Sequence, residues 1–224
     1  MYEIDGKLYK RQEEGNPIHV ALVGAGQMGT EIVSQIGLMT GMEMDIVVDL
    51  NTDVCVRAYR NAGYTGEIVL TDDISEAENA ISNGKKVAST NYRVAVTASQ
   101  IESVIDATGS PEMGARISLL CFNNHKNIVM MNVECDITIG PILRQMAENA
   151  GVVYSLTAGD EPGSIVELYR FAKALGFRVV AAGKGKNNPL DIYATSKDPE
   201  WVEKAKARHM NPRMLTEFVD GSKT

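Results

Sequence analysis

Three glycines carry the clearest chemical signal in this sequence. Gly24, Gly26 and Gly29 stand in GxGxxG spacing in GAGQMG, directly after the apolar run Ile18 to Val23. Ile32, Val33 and Ile36 follow at the spacing of one helix face. In a strand-turn-helix setting the glycines allow a tight turn, close approach of backbone to a pyrophosphate and close helix packing. The free N–H groups of the helix start, with Gln27 and Met28 among them, then receive the negative charge. Asp49 ends the next apolar run 20 residues after Gly29, where an acid takes the adenosine ribose hydroxyls of a dinucleotide.

A second group of polar residues follows later strand patterns. IDATGSPEMG runs from Ile105 to Gly114 and places Thr108 and Gly109 at a strand-to-helix turn; Gly109 serves either the turn itself or the approach of a nicotinamide. In MMNVECD, Asn132, Glu134 and Asp136 are spaced by two and share a face if that segment is extended. GDEP presents Asp160 and Glu161 ahead of a helix, for substrate, for a divalent cation, or for the helix dipole alone. GKGKNNPLD interleaves Lys184 and Lys186 with glycines, which suits a phosphate or a polarised carbonyl; a solvated lysine loop is the alternative. His19, His125 and His209 form no metal-binding spacing and read as structural or solvent-facing.

The elements that must position these groups alternate. Strand patterns at Ile18–Val23, Asp45–Leu50, Glu67–Thr71, Ser103–Gly109, Asn127–Asn132, Val152–Thr157 and Phe177–Gly183 are mostly separated by helical ones. That alternation predicts an α/β class: a doubly wound parallel sheet of Rossmann type over residues 17–158, followed by the start of an α+β catalytic domain over 159–224. Residues 1–16 read as a polar lead-in with one short helix, Leu8 to Glu14. Ser164 and Glu167 have capping-box spacing and Gly176 marks that helix's end.

Of the 224 residues, 44% are hydrophobic and 23% charged, enough to bury a core without crosslinks. A net charge of −7 opposes nucleic-acid binding through a basic surface. Three cysteines without CxxC spacing and no apolar leader or span indicate a cytoplasmic protein that does not enter a membrane. FVDGSKT stops just after a new apolar stretch, so a truncated chain that binds dinucleotide without turnover is expected.

Taken together, GAGQMG, DLNT, IDATGSPEMGA, NIVMMNVECDITIGP, YSLTAGDEPG, GKGKNNPLD and FVDGSKT resemble the 1-deoxy-D-xylulose 5-phosphate reductoisomerase-like oxidoreductases, a homoserine-dehydrogenase-like family, over about residues 17–224. The resemblance implies a Rossmann domain, a catalytic domain and a C-terminal SAF-type domain. It also implies NADPH, with NAD possible, and reductive isomerisation of a ketose phosphate serving isoprenoid precursor synthesis, in a homo-oligomer acting on a small molecule. Homoserine dehydrogenases proper have an Asn-Lys pair where this chain has Asn132 and Val133, a departure that favours the reductoisomerase-like branch. On this reading Lys184 and Lys186 bind phosphate and polarise oxygen, Asp160 and Glu161 transfer protons or hold a divalent cation, and Asn132 and Glu134 orient substrate. NADPH then requires Asn51, Thr52 and Arg57 or Arg60 to accommodate the extra phosphate, with Asp49 turned away. The alternatives are dehydrogenation of a sugar acid or hydroxy acid without rearrangement, and a non-catalytic dinucleotide-binding fragment.

Overall fold

The computed structural model describes residues 4–156, 163–183, 185, 190–208 and 210–221. The chain divides into two compact units, Met1–Thr157 and Ala158–Thr224.

The first unit is built on seven parallel strands: β1 (Ile18–Val23), β2 (Met42–Val48), β3 (Ile68–Leu70), β4 (Lys86–Ser89), β5 (Ser103–Asp106), β6 (Asn127–Met130) and β7 (Tyr154–Leu156). Their order across the sheet is β3-β4-β2-β1-β5-β6-β7. The chain lays β2, β3 and β4 on one side of β1, with β4 inserted between β2 and β3, then returns to lay β5 against the other side of β1, with Val23 opposite Asp106. That reversal opens a crevice at the carboxyl ends of β1 and β5, the usual ligand position in open α/β sheets.

Seven helices accompany these strands: α1 (Ile4–Glu13), α2 (Gln27–Ile36), α3 (Thr52–Asn61), α4 (Ile74–Ser82), α5 (Tyr92–Thr97), α6 (Pro111–Asn123) and α7 (Val133–Ala150). Alternate strand residues serve two cores. Val20, Leu22, Met44, Val47 and Ile105 pack with Val33, Ile36, Ala58 and Tyr59 of α2 and α3. Ala21, Val23, Ile46, Val48 and Val104 pack with α4 to α7 through residues such as Ala77, Val94, Ile117 and Leu143. The parity of β2 changes at Asp45, because Val20 pairs with Met44 and Ala21 with Ile46, leaving Asp45 as the extra residue of a bulge.

Two elements differ from the expectation. Lys86–Ser89 forms a strand that the sequence patterning does not reveal, since Lys-Val-Ala-Ser has one β-branched residue and begins with a charge; burial of Val87, Ala88 and Ser89 between β3 and β2 makes it a strand. Phe177–Gly183 reads as a strand but is irregular, with Val180 85% exposed and no strand beside it among the described residues. Without a neighbouring strand there is no ladder for its backbone groups to join, and in this exposed segment they face water instead. The lead-in helix also starts earlier than expected, at Ile4, and is tied to the sheet unit by Arg11 donating to Glu102 at 2.6 Å and Gly41 N–H donating to Gln12 at 3.0 Å.

The described residues of the second unit hold three helices, α8 (Gly163–Ala174), α9 (Pro199–Ala207) and α10 (Pro212–Glu217), and no strand, so the start of an α+β layout is not seen in them. α9 and α10 pack around Ala205 and Leu215, and Asp191 N–H donates to Val219 O at 2.9 Å. Ser164 lies in the first turn of α8 as described. Gly176, at φ +84°, closes its C-terminal end.

Candidate dinucleotide site

β1 runs straight into the glycine loop. Gly24 has φ +98°, and a Cβ there would lie 2.7 Å from the backbone of Ala107 and 2.9 Å from Thr108 N, so the turn after β5 closes directly over it. A Cβ on Gly29 would overlap the carbonyl oxygen of Gly24 and approach Leu22 at 3.2 Å, so this glycine lets α2 sit tightly on the sheet. Gly26 meets nothing within 4 Å. Two glycines are thus required by the protein itself, and the third leaves open backbone where a pyrophosphate approaches.

The start of α2 is left available. Its N-cap is Gly26, no side chain accepts from its first turn, and that turn contains no acid. Each of α3, α4, α5, α6, α7 and α10 has an Asn, Asp or Ser cap that accepts a backbone N–H. Gly26, Gln27 and Met28 are exposed, so the free N–H groups and the positive end of the helix dipole face solvent.

Asp49 ends beside this loop and accepts the Ala25 N–H through Oδ2 at 2.7 Å. It is drawn toward the loop, which overturns the expectation that it turns away. Asn51 caps α3 by accepting from Asp53 N–H at 2.9 Å, Thr52 is the first residue of that helix, and Asp53 adds a second negative charge. Arg60 lies in the last turn of α3 and donates to the carbonyls of Tyr64 at 2.7 Å and Gly66 at 3.0 Å, so it is committed away from the ribose position. Arg57 is exposed in mid-helix. Leu50, 95% exposed beside Asp49, offers an apolar surface at the same edge. Its sign in the sequence is an apolar residue directly after the acid that ends the β2 run.

Beneath the loop lies a buried polar cluster. Asn132, 1% exposed, donates through Nδ2 to Asp106 Oδ2 at 3.0 Å, Thr108 Oγ1 at 3.1 Å and Ser110 O at 2.8 Å, while its Oδ1 accepts Cys135 N–H at 3.2 Å. Asp106 Oδ1 accepts Thr108 N–H at 2.9 Å. Burial pushes the Asp106 carboxyl upward, against the hydrogen bonds from Thr108 and Asn132. Asn132 therefore caps α7 and has no face open to substrate, a correction to its expected substrate-orienting role. The segment that follows is helix, so Asn132, Glu134 and Asp136 do not share a face: Glu134 stands about 200° around the axis from Asn132 and from Asp136. Glu134 is partly exposed in the first turn of α7, and Asp136 accepts from the Tyr154 hydroxyl at 2.7 Å, which with burial raises the Tyr154 pKa.

Thr108 and Gly109 form the turn itself, Gly109 at φ +64° with open space around its Cα. Asp106 and Ser110 belong to no motif; the sign of Asp106 in the sequence is an acid directly after the apolar pair Val104-Ile105. Asp160, Glu161, Lys184, Lys186 and His209 lie outside the described residues. Among the described residues no group of three or more His, Cys, Asp or Glu could hold a metal ion, and no helix is long and apolar enough to cross a membrane. His19 is structural: its Nδ1 lies 2.6 Å from Asp45 Oδ2. The three cysteines are buried, and burial pushes Cys55 and Cys121 to about 12 and Cys135 to about 11.

Residues 159–224 match the family model described as oxidoreductase DRL, catalytic domain. No curated protein matches the chain. Among solved structures it is similar to an NAD-binding oxidoreductase from Klebsiella pneumoniae, with 14% identity and a TM-score of 0.50 over 71% of this chain and 39% of that one. It is also similar to the WlbA dehydrogenase from Bordetella pertussis in complex with NADH and UDP-GlcNAcA, with 13% identity and 0.52 over 72% and 44%. A dehydrogenase from Chromobacterium violaceum gives 16% and 0.51 over 70% and 40%. The chain thus spans 39% to 44% of the length of these structures. At such identities the likeness establishes the fold: a doubly wound parallel α/β sheet of the Rossmann type.

Proposed function

We propose that this chain belongs to a nicotinamide-dinucleotide-dependent oxidoreductase, with the dinucleotide seated on Gly24–Gly29 at the β1/β5 crevice. The observation that carries the proposal is the first turn of α2, uncapped, acid-free and exposed behind an open Gly26, while the neighbouring helices of the same sheet are capped. The N–H groups of Gln27 and Met28 hold the pyrophosphate, Asp49 Oδ1 takes the adenosine ribose hydroxyls, and Leu50 covers one side of the adenine. Asp49 and Asp53 oppose a phosphate on that ribose and Arg60 is occupied elsewhere, so NAD(H) is favoured over NADP(H). This revises the NADPH preference that the family resemblance implies.

When bound, the dinucleotide supplies or accepts a hydride. The reaction proposed for the whole protein is reductive rearrangement of a ketose phosphate, supported by the GDEPG and GKGKNNPLD strings and by the match of residues 159–224 to the DRL catalytic domain. Lys184 and Lys186 bind the substrate phosphate and polarise the reacting oxygen, and Asp160 and Glu161 move protons or hold a divalent cation. Assay of NADH and NADPH oxidation with 1-deoxy-D-xylulose 5-phosphate, with analysis of the carbon skeleton of the product, tests both levels. In the full-length protein, oxidation without skeletal change would replace rearrangement by simple dehydrogenation, and Lys184→Met there should lower turnover about 10²-fold with dinucleotide binding retained.

A further inference from the structure

The cluster under the glycine loop is more than a helix cap. A cap on α7 needs only an oxygen to accept Cys135 N–H, which Asn132 Oδ1 provides. The opposite end of the same carboxamide reaches three groups of another segment, Asp106 at the end of β5 and Thr108 and Ser110 in the turn after it. That turn supplies the Ala107 and Thr108 backbone that stands where a Gly24 Cβ would be. Asp106 pins Thr108 N–H from below. A single buried side chain therefore sets the shape of the turn that closes over the first glycine.

We propose that Asn132 is a positioning residue for the dinucleotide, acting through the Asp106–Ser110 turn to hold Gly24 and its loop in binding shape. The inference rests on the dinucleotide reading above. Its donor end faces a carboxylate, so exchanging that donor for an acceptor should make binding depend on pH. In Asn132→Asp the helix cap is kept, but two buried carboxylates then face each other and share one proton. Other titratable groups around Asp106 are Glu134 and Cys135 of α7, Cys121 of α6 and Tyr154 of β7. Burial raises the three thiol and phenol groups, so they remain protonated near neutrality.

The test is calorimetric titration of NAD+ into the intact chain and its variants between about pH 5.5 and about pH 8.5, with folding checked by circular dichroism. Wild type should bind with little pH dependence. Asn132→Asp should bind within about threefold of wild type at the acid end and at least about tenfold more weakly at the alkaline end. Asn132→Ser, which keeps a capping oxygen and cannot span to the turn, should lose about tenfold throughout, and it decides the matter if the Asp variant does not fold. The core variant Ile81→Val, on α4, which packs on β4 and α5, should lose stability without altering NAD+ affinity. Wild-type affinity in both Asn132 variants at every pH, or the same loss in Ile81→Val, overturns the positioning role. Failure of wild type to bind NAD+ overturns the dinucleotide reading beneath it.

Discussion

The two ends of the sheet treat charge in opposite ways. At the amino ends of the strands, lysine, arginine and histidine side chains meet acids directly: Lys86 of β4 lies 2.7 Å from Glu43 and 3.0 Å from Asp45, His19 lies 2.6 Å from Asp45, and Arg11 lies 2.6 Å from Glu102. At the carboxyl ends, three acids are satisfied by neutral donors instead. Asp49 accepts from Ala25 N–H, Asp72 from Ser89, Thr90 and Asn91, and Asp106 from Thr108 and Asn132. Among the described residues no cation pairs with Asp49 or Asp106. Polar pairs at one end fix three strands and a bulge; the open N–H groups at the other are where the proposed dinucleotide binds. Stability and binding should therefore separate along the strand direction.

The sharpest way to break that separation is at the glycine loop. Gly24→Ala places a Cβ into the Ala107 peptide at positive φ and should lower dinucleotide affinity by at least about a thousandfold, about 4 kcal/mol, as read by calorimetry. Retained affinity would show that the turn after β5 yields easily. At the other end, Lys86→Met leaves Asp45 buried with only His19 beside it. Urea denaturation should show a loss of about 2 kcal/mol, below the range for fully buried pairs because Glu43 is half-exposed, with dinucleotide affinity unchanged. A parallel loss of affinity would join the two ends.

These regions also differ in how legible they are in sequence. The carboxyl-end site is local in the chain: GAGQMG, the strand before it and Asp49 lie within about 30 residues, and glycine spacing has one dominant physical meaning. The amino-end network is invisible because Lys86 reaches Asp45 across 41 residues and the bulge that turns Asp45 inward has no residue signature. Spacing by two gives Asn132, Glu134 and Asp136 a shared face only in a strand, and here the helix begins one residue after Asn132. FRVVAAG shows the converse: strand-forming residues do not make a strand without a neighbour.

A smaller effect sharpens the carboxyl end. Asp49→Ser keeps an oxygen near Ala25 N–H while removing the charge, and should shift the ratio of NADPH to NADH affinity by about tenfold toward NADPH. An unchanged ratio would mean that Asp53 alone excludes the phosphate. The smallest effect concerns exposed Asp72, whose pKa is lowered by hydrogen bonds from Ser89 and Thr90. Its stabilisation is present above the ordinary value of 3.8 and is lost as pH falls through the lowered folded value. Asp72→Asn should thus be slightly less stable than wild type at neutral pH, and the gap should close in acid; a gap that widens in acid would reverse the sign assigned to Asp72.

The most direct test of the account is titration of NADH into the intact wild-type chain, followed calorimetrically alongside Gly24→Ala and Lys86→Met. The account predicts one saturable site per chain, lost in Gly24→Ala and kept in Lys86→Met. Absence of saturable binding in wild type, or binding unaffected by Gly24→Ala, would contradict it.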